Sequence, residues 1–89
     1  MAGTVYFVTA LTEASKVRAR LYTLIPAEDR YELAPDKWMV SYGGTTRELA
    51  ESAGIRGGEE RIGTGLALPV TTYSGRAPSG LWDWLAKKL

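Results

Sequence analysis

The chain has 89 residues, 45% of them apolar and 24% charged, with a net charge of +1 at neutral pH. That suffices for one modest core and excludes both a disordered tail and a uniformly basic surface. Histidine and cysteine are missing, which removes imidazole bases, Ser-His and Cys-His nucleophiles, disulfides and the usual zinc ligand sets.

The absence of cysteine fits a reducing, cytoplasmic setting, and no apolar run approaches the roughly 20 residues of a membrane span. The opening "MAGTVYFVTALTE" lacks the basic stretch of a signal peptide. The expectation is a cytoplasmic single domain over 1–89, with a core over 1–73 and a loop and terminal helix over 74–89.

"VYFVTA" (5–10) is short, aromatic and β-branched, and apolar on both faces, as in a central strand covered on both sides. Val5 and Phe7 point one way; Tyr6, Val8 and Ala10 point the other. Thr12 can cap a helix in which Ala14, Val17, Leu21, Leu24 and Ile25 recur at helical spacing, ended by Pro26. Lys16, Arg18 and Arg20 flank that stripe, as a solvated face whose stems cover its edges or as a phosphate-contacting patch.

"RYEL" and "KWMVSY", joined by "APD", read as a hairpin. Trp38, Val40 and Tyr42 share one face of its second strand; Lys37, Met39 and Ser41 share the other. Trp38 suits a core or sheet surface, with a base-stacking platform as the alternative. "GGTTRELAESAGI" follows, in which Thr45 and Glu48 form a capping box. Leu49, Ala50 and Ala53 make the inner face, Gly54 is a left-handed stop, and Ile55 can fold back on the last turn. "RGGEER" is a loop.

In "TGLALPVTTY", Leu66, Leu68 and Val70 share a face. Pro69 cannot donate to a ladder, which assigns this strand to a sheet edge. Ser79 can cap the closing helix "GLWDWLAKKL". At 3.6 residues per turn Leu81, Leu85 and Leu89 form a seam, with Trp82 and Trp84 on opposite borders about 200° apart. One surface cannot bury both indoles fully, so one is expected in the core and the other half-exposed or covered from outside.

The order β-α-β-β-α-β-α predicts an α+β fold: a ferredoxin-like βαββαβ unit with an antiparallel sheet and helices on one face, plus a C-terminal helix. Its topology puts the fourth strand at an edge, where Pro69 is tolerated. The second face, assigned here to Tyr6, Val8, Trp38 or Met39, and Tyr73, needs a cover, and a second copy of the chain is the simplest one.

The ten Asp and Glu residues leave carboxylate chemistry as the remaining catalytic option. Glu28, Asp29, Glu32, Asp36, Glu59 and Glu60 read as solvated turn or helix-exterior charges, so no catalytic residue, metal or cofactor is assigned. "YGGTT" lacks the lysine and spacing of a P-loop, and "GTG" (63–65) opens a strand, not a helix. "TTRELAESAGI" could start a helix-turn-helix, but the adjacent glycines at 57 and 58 sit where a recognition helix would begin.

Up to residue 72 the run of elements resembles the small ferredoxin-like family of the CRISPR-adaptation subunit and its stand-alone relatives. The likeness rests on "VYFVTA", "DKWMVSY" and "GTTRELAESAGI". It implies a homodimer packed through sheet faces or edges and, in some members, nucleic-acid cleavage by a metal held on an aspartate ending the first strand. Thr9 and Ala10 occupy those positions here, and the Trp-bearing helix replaces a final strand, so the nuclease role does not carry over.

The leading expectation is a non-enzymatic protein-binding domain (an inhibitor, adaptor or assembly subunit), acting as a homodimer and/or with another protein. Arg76, Trp82, Trp84 and Leu89 are its candidate contacts, because Arg among aromatics composes many energetic hot spots. The alternative is an RNA- or DNA-binding module. It would use Lys16, Arg18, Arg20, Arg56, Arg61 and Arg76 on phosphates, with Trp38 or Tyr42 for stacking. No membrane and no small-molecule substrate is implied.

Overall fold

The computed structural model describes residues 3–57, 61–76 and 79–89. Strands β1 (Thr4–Ala10), β2 (Arg30–Ala34), β3 (Lys37–Tyr42) and β4 (Gly65–Pro69) form one sheet in the order β2-β3-β1-β4. All neighbouring pairs are antiparallel. Helices α1 (Ala14–Leu24) and α2 (Thr46–Ser52) fill the two crossovers, and α3 (Ser79–Lys88) closes the chain. This is the ferredoxin-like α+β arrangement with an added C-terminal helix. As its proline required, β4 is an edge strand.

The first face of the sheet carries Tyr6, Val8 and Ala10 of β1 with Trp38 and Val40 of β3. They pack against Val17 and Leu21 of α1 and Leu49 of α2, with Ile25, Ala53 and Ile55 closing the ends. The second face buries Val5 and Met39 beneath Leu81 and Leu85 of α3. Phe7, Tyr31, Leu33, Val70, Trp82 and Trp84 border that smaller cluster.

Two expectations are thereby corrected. Tyr6, Val8 and Trp38 face α1 and α2, and of the residues expected within the second face Met39 is the one buried there. The cover over the second face is the chain's own α3, where a second copy was expected. The parity along β1 was read correctly, but a strand apolar on both sides does not reveal which set meets which helix.

Local chemistry explains most element boundaries. At α2 the Thr45 hydroxyl accepts the Glu48 N–H at 3.1 Å, and the Glu48 carboxylate accepts the Thr45 N–H at 2.7 Å, completing the capping box. Gly54 follows at φ 83°, and the Ile55 N–H returns to the Ala50 carbonyl at 3.1 Å. Only glycine adopts that backbone cheaply.

Thr12 departs from its expected role. The residue preceding α1 is Glu13, in a left-handed conformation with no side-chain cap. The Thr12 hydroxyl instead accepts the Thr64 N–H at 2.9 Å, while the Leu11 N–H donates to the Thr64 carbonyl at 2.8 Å. Thr12 thus ties the entry of β4 to the exit of β1. At the other end of α1 the Arg30 guanidinium donates to the carbonyls of Ile25 and Tyr22, placing a cation at the helix C-terminus. Helix α3 begins at Ser79 itself; the position before it lies outside the described residues, as do Glu59 and Glu60.

Candidate protein-interaction surface

The leucine seam of α3 seats the helix as its spacing required: Leu81 and Leu85 are buried, and Leu89, one turn further on, is exposed. The two indoles diverge across the sheet. Trp84 leans toward the β2 side, where its Nε1–H donates to the Glu28 carbonyl at 3.1 Å and its ring meets Tyr31 at a centroid distance of 6.4 Å. Lys88 pairs nearby with Asp29 at 2.7 Å, both partly shielded from solvent.

Trp82 turns the other way and stacks on Tyr73, with centroids 5.4 Å apart and planes 16° from parallel. Both indoles are half-buried. The chain therefore shields each ring in part and neither fully, where one core and one half-exposed indole were expected. The four anticipated contact residues do not form one patch: Trp82 and Trp84 sit on opposite borders of α3. Arg76 is exposed in the segment leading to that helix.

The surface that sequence reasoning passed over lies on β4. Antiparallel register sets Leu66 opposite Thr9 and Leu68 opposite Phe7, so both leucines stand on the second face beside Phe7. Helix α3 does not reach them; they remain 51% and 49% exposed. Val70, opposite Val5 by its 2.8 Å hydrogen bond, packs into the same cluster as Trp82. An apolar strip thus runs along the free-edge strand from Leu66 and Leu68, through Val70, to the Trp82–Tyr73 stack. Its signal was already in "GLALPV": strict alternation on a strand that Pro69 marks as an edge.

Of the residues considered for nucleic-acid contact, Lys16 and Arg20 line one shallow groove with Ile62, the neighbour of Arg61, and the others lie elsewhere. Trp38 is fully buried in the first-face core, so it cannot stack on a base, and that assignment is corrected. Its Nε1 makes no hydrogen bond of good geometry among the described residues, although the Glu32 carboxylate and the Tyr22 hydroxyl lie close to it. Tyr42 is half-buried and packs edge-on against Tyr6 at 6.4 Å. Lys16 pairs with Glu13 at 3.3 Å, and Arg20 donates to the Ser52 carbonyl at 3.4 Å. Arg56 and Arg61 are exposed on the connection between α2 and β4.

Arg18 belongs to a tighter arrangement. The Glu32 carboxylate of β2 accepts from Arg18 Nε at 2.9 Å and from the Tyr22 hydroxyl at 2.7 Å. Two guanidiniums lie over the Tyr22 ring, Arg18 at 4.3 Å and Arg30 at 3.9 Å from its centroid. The Tyr22 and Arg18 hydrogen bonds hold the Glu32 carboxyl below the ordinary carboxylate range. Burial, reinforced by the bond to Glu32, pushes the Tyr22 hydroxyl up. This network ties α1 to the outer strand β2 and pairs the Arg18 charge with Glu32 at the protein surface.

Among the described residues, no three carboxylates converge to hold a metal ion, and no helix is long and apolar enough to cross a membrane. No protein family, no curated protein and no solved structure gives a significant match to this chain.

Proposed function

We propose that this chain is a non-enzymatic protein-binding domain that works as a homodimer, with the strip along β4 as its contact surface. The observation that carries the reading is the partial reach of α3. It covers the Val5–Met39 part of the second face and leaves Leu66 and Leu68 half-exposed on the strand at the free edge.

Apolar surface of this kind, contiguous and next to an open edge, characterises association sites. A stable interface takes about 800 Å² from each partner, about a seventh of the 5489 Å² this chain exposes. Two leucines are too small for that, so the contact extends along the strip to Tyr73 and Trp82. Trp82 keeps the role anticipated for it as an anchor. Trp84 instead secures α3 to its own chain.

The test is native mass measurement and sedimentation across concentration, with Leu68→Glu as the variant. Wild type is expected to dimerise. The variant should raise the dissociation constant at least about tenfold, worth about 1.4 kcal/mol, with its melting curve unchanged when both chains are diluted below the wild-type dissociation constant, because Leu68 is not core. A wild-type chain that stays monomeric at about 100 µM, where a dissociation constant of about 10 µM would leave most of it paired, refutes the homodimer.

A further inference from the structure

The free edge of β4 borders a groove with a charged rim. We infer that this groove binds an extended acidic peptide, which adds to the sheet as a fifth strand; the inference rests on reading the chain as a protein-binding domain.

The backbone supplies the first argument. Hydrogen bonds from Val70 to Val5 and from Leu11 to Thr64 fix the phase of the β1–β4 ladder. In an antiparallel pair the bonded positions recur every second residue, so positions 64, 66, 68 and 70 aim their backbone groups at β1. Gly65, Ala67 and Pro69 aim theirs outward, and among the described residues no strand lies beyond β4. The N–H groups of Gly65 and Ala67 and the carbonyls of Gly65, Ala67 and Pro69 therefore offer a ladder about 13 Å long. Pro69, with no N–H, ends the row of donors. This is the arrangement that captures extended peptides by strand addition.

The side chains supply the second. Between β4 and α2 lies an open groove of about 430 Å³, lined by Ala50, Ile55, Ala67 and part of Leu66, with Arg47 and Arg56 beside them. The apolar lining is shallow and accepts a small or medium aliphatic side chain. Among the described residues Arg47 is tied to Glu51, at 3.5 Å and largely in solvent, and such a pair is worth little and re-forms readily with another carboxylate. Arg56 is exposed. Two guanidiniums flanking an apolar trough complement carboxylates on either side of one aliphatic residue, all on the same face of a strand and hence two positions apart.

The probe is a fluorescein-labelled peptide, Thr-Glu-Thr-Val-Thr-Glu-Thr, followed by anisotropy, with a version carrying Gln for both Glu residues. The acidic peptide is expected to bind with a dissociation constant of about 10–500 µM, and the Gln version at least about fivefold more weakly. Arg56→Ala should weaken the acidic peptide and leave the neutral one unchanged. Ala67→Pro should abolish binding of both with melting preserved, because the N–H it removes points away from β1.

The inference is overturned if wild type binds neither peptide at about 1 mM, or binds both equally. Displacement of the acidic peptide by an oligothymidylate at lower charge concentration also overturns it, assigning the groove to nucleic acid. Leu68 lies on the opposite face of β4, which separates the two readings. A Leu68→Glu chain that is monomeric and still binds the peptide supports this inference, whereas a dimer that ignores the peptide removes it and leaves the dimer intact.

Discussion

Leu85→Ala tests the claim that α3 is the cover of the second sheet face. Leu85 is 1% exposed and packs with Val5, Met39 and Leu81. The change removes three carbons, worth about 0.8 kcal/mol each in lost transfer energy, or about 2.4 kcal/mol together. The cavity left behind usually brings a buried Leu→Ala cost to about 2–5 kcal/mol. Here a lone helix forms one wall of the seam and can settle inward, so the cost should lie at the low end, about 2–3 kcal/mol. For a chain of this size that lowers the melting temperature by about 10–20 °C.

Urea unfolding followed by circular dichroism gives the free energy, and indole emission adds a local reading, because Trp82 and Trp84 ride on α3 while Trp38 sits in the other core. Partial release of α3 should shift emission to the red before the sheet unfolds. A Leu85→Ala chain with stability within about 0.5 kcal/mol of wild type and unchanged emission would show that α3 does not hold this face, since changes that small belong to surface positions.

Two further outcomes follow from polar groups. Trp38→Phe should cost less than about 1 kcal/mol in urea denaturation, because the buried indole N–H lies near Glu32 and Tyr22 without a well-formed hydrogen bond, and relief of such a donor, worth about 1–3 kcal/mol, offsets the lost packing; a loss above about 3 kcal/mol would mean that Glu32 or Tyr22 satisfies the indole donor. Glu32 has a folded pKa below its ordinary value of 4.5, so its contribution is present above that value and fades as pH falls through the folded pKa. The stability gap between wild type and Glu32→Gln should accordingly narrow between about pH 5 and about pH 2, and a gap independent of pH would contradict the Tyr22–Glu32–Arg18 network.

How much of the candidate surface the sequence disclosed depends on how far each determinant reaches along the chain. The capping box at Thr45 and Glu48, the stop at Gly54 and the leucine seam at Leu81 and Leu85 each span only a few residues, and local rules locate them. Pro69 marked β4 as an edge because a missing N–H is intolerable anywhere else in a sheet. The opposed positions of Trp82 and Trp84 follow from helical periodicity alone. The groove beside Arg47 and Arg56 was not legible, since it exists only where α2 comes to rest against β4.

The sequence by itself thus determined the order of elements, the parity of each strand and the divergence of the two indoles, all consequences of backbone geometry over short stretches. Only the tertiary structure decided which side of β1 meets α1 and α2, because Val5 and Phe7 are as apolar as Tyr6 and Val8 and local pattern does not separate them. It also decided that Trp38 is core, that Thr12 serves the β1–β4 junction, and that the chain's own α3 closes the second face. Such choices are made by competition among distant apolar surfaces for the same partner, and no window of neighbouring residues contains the competitors.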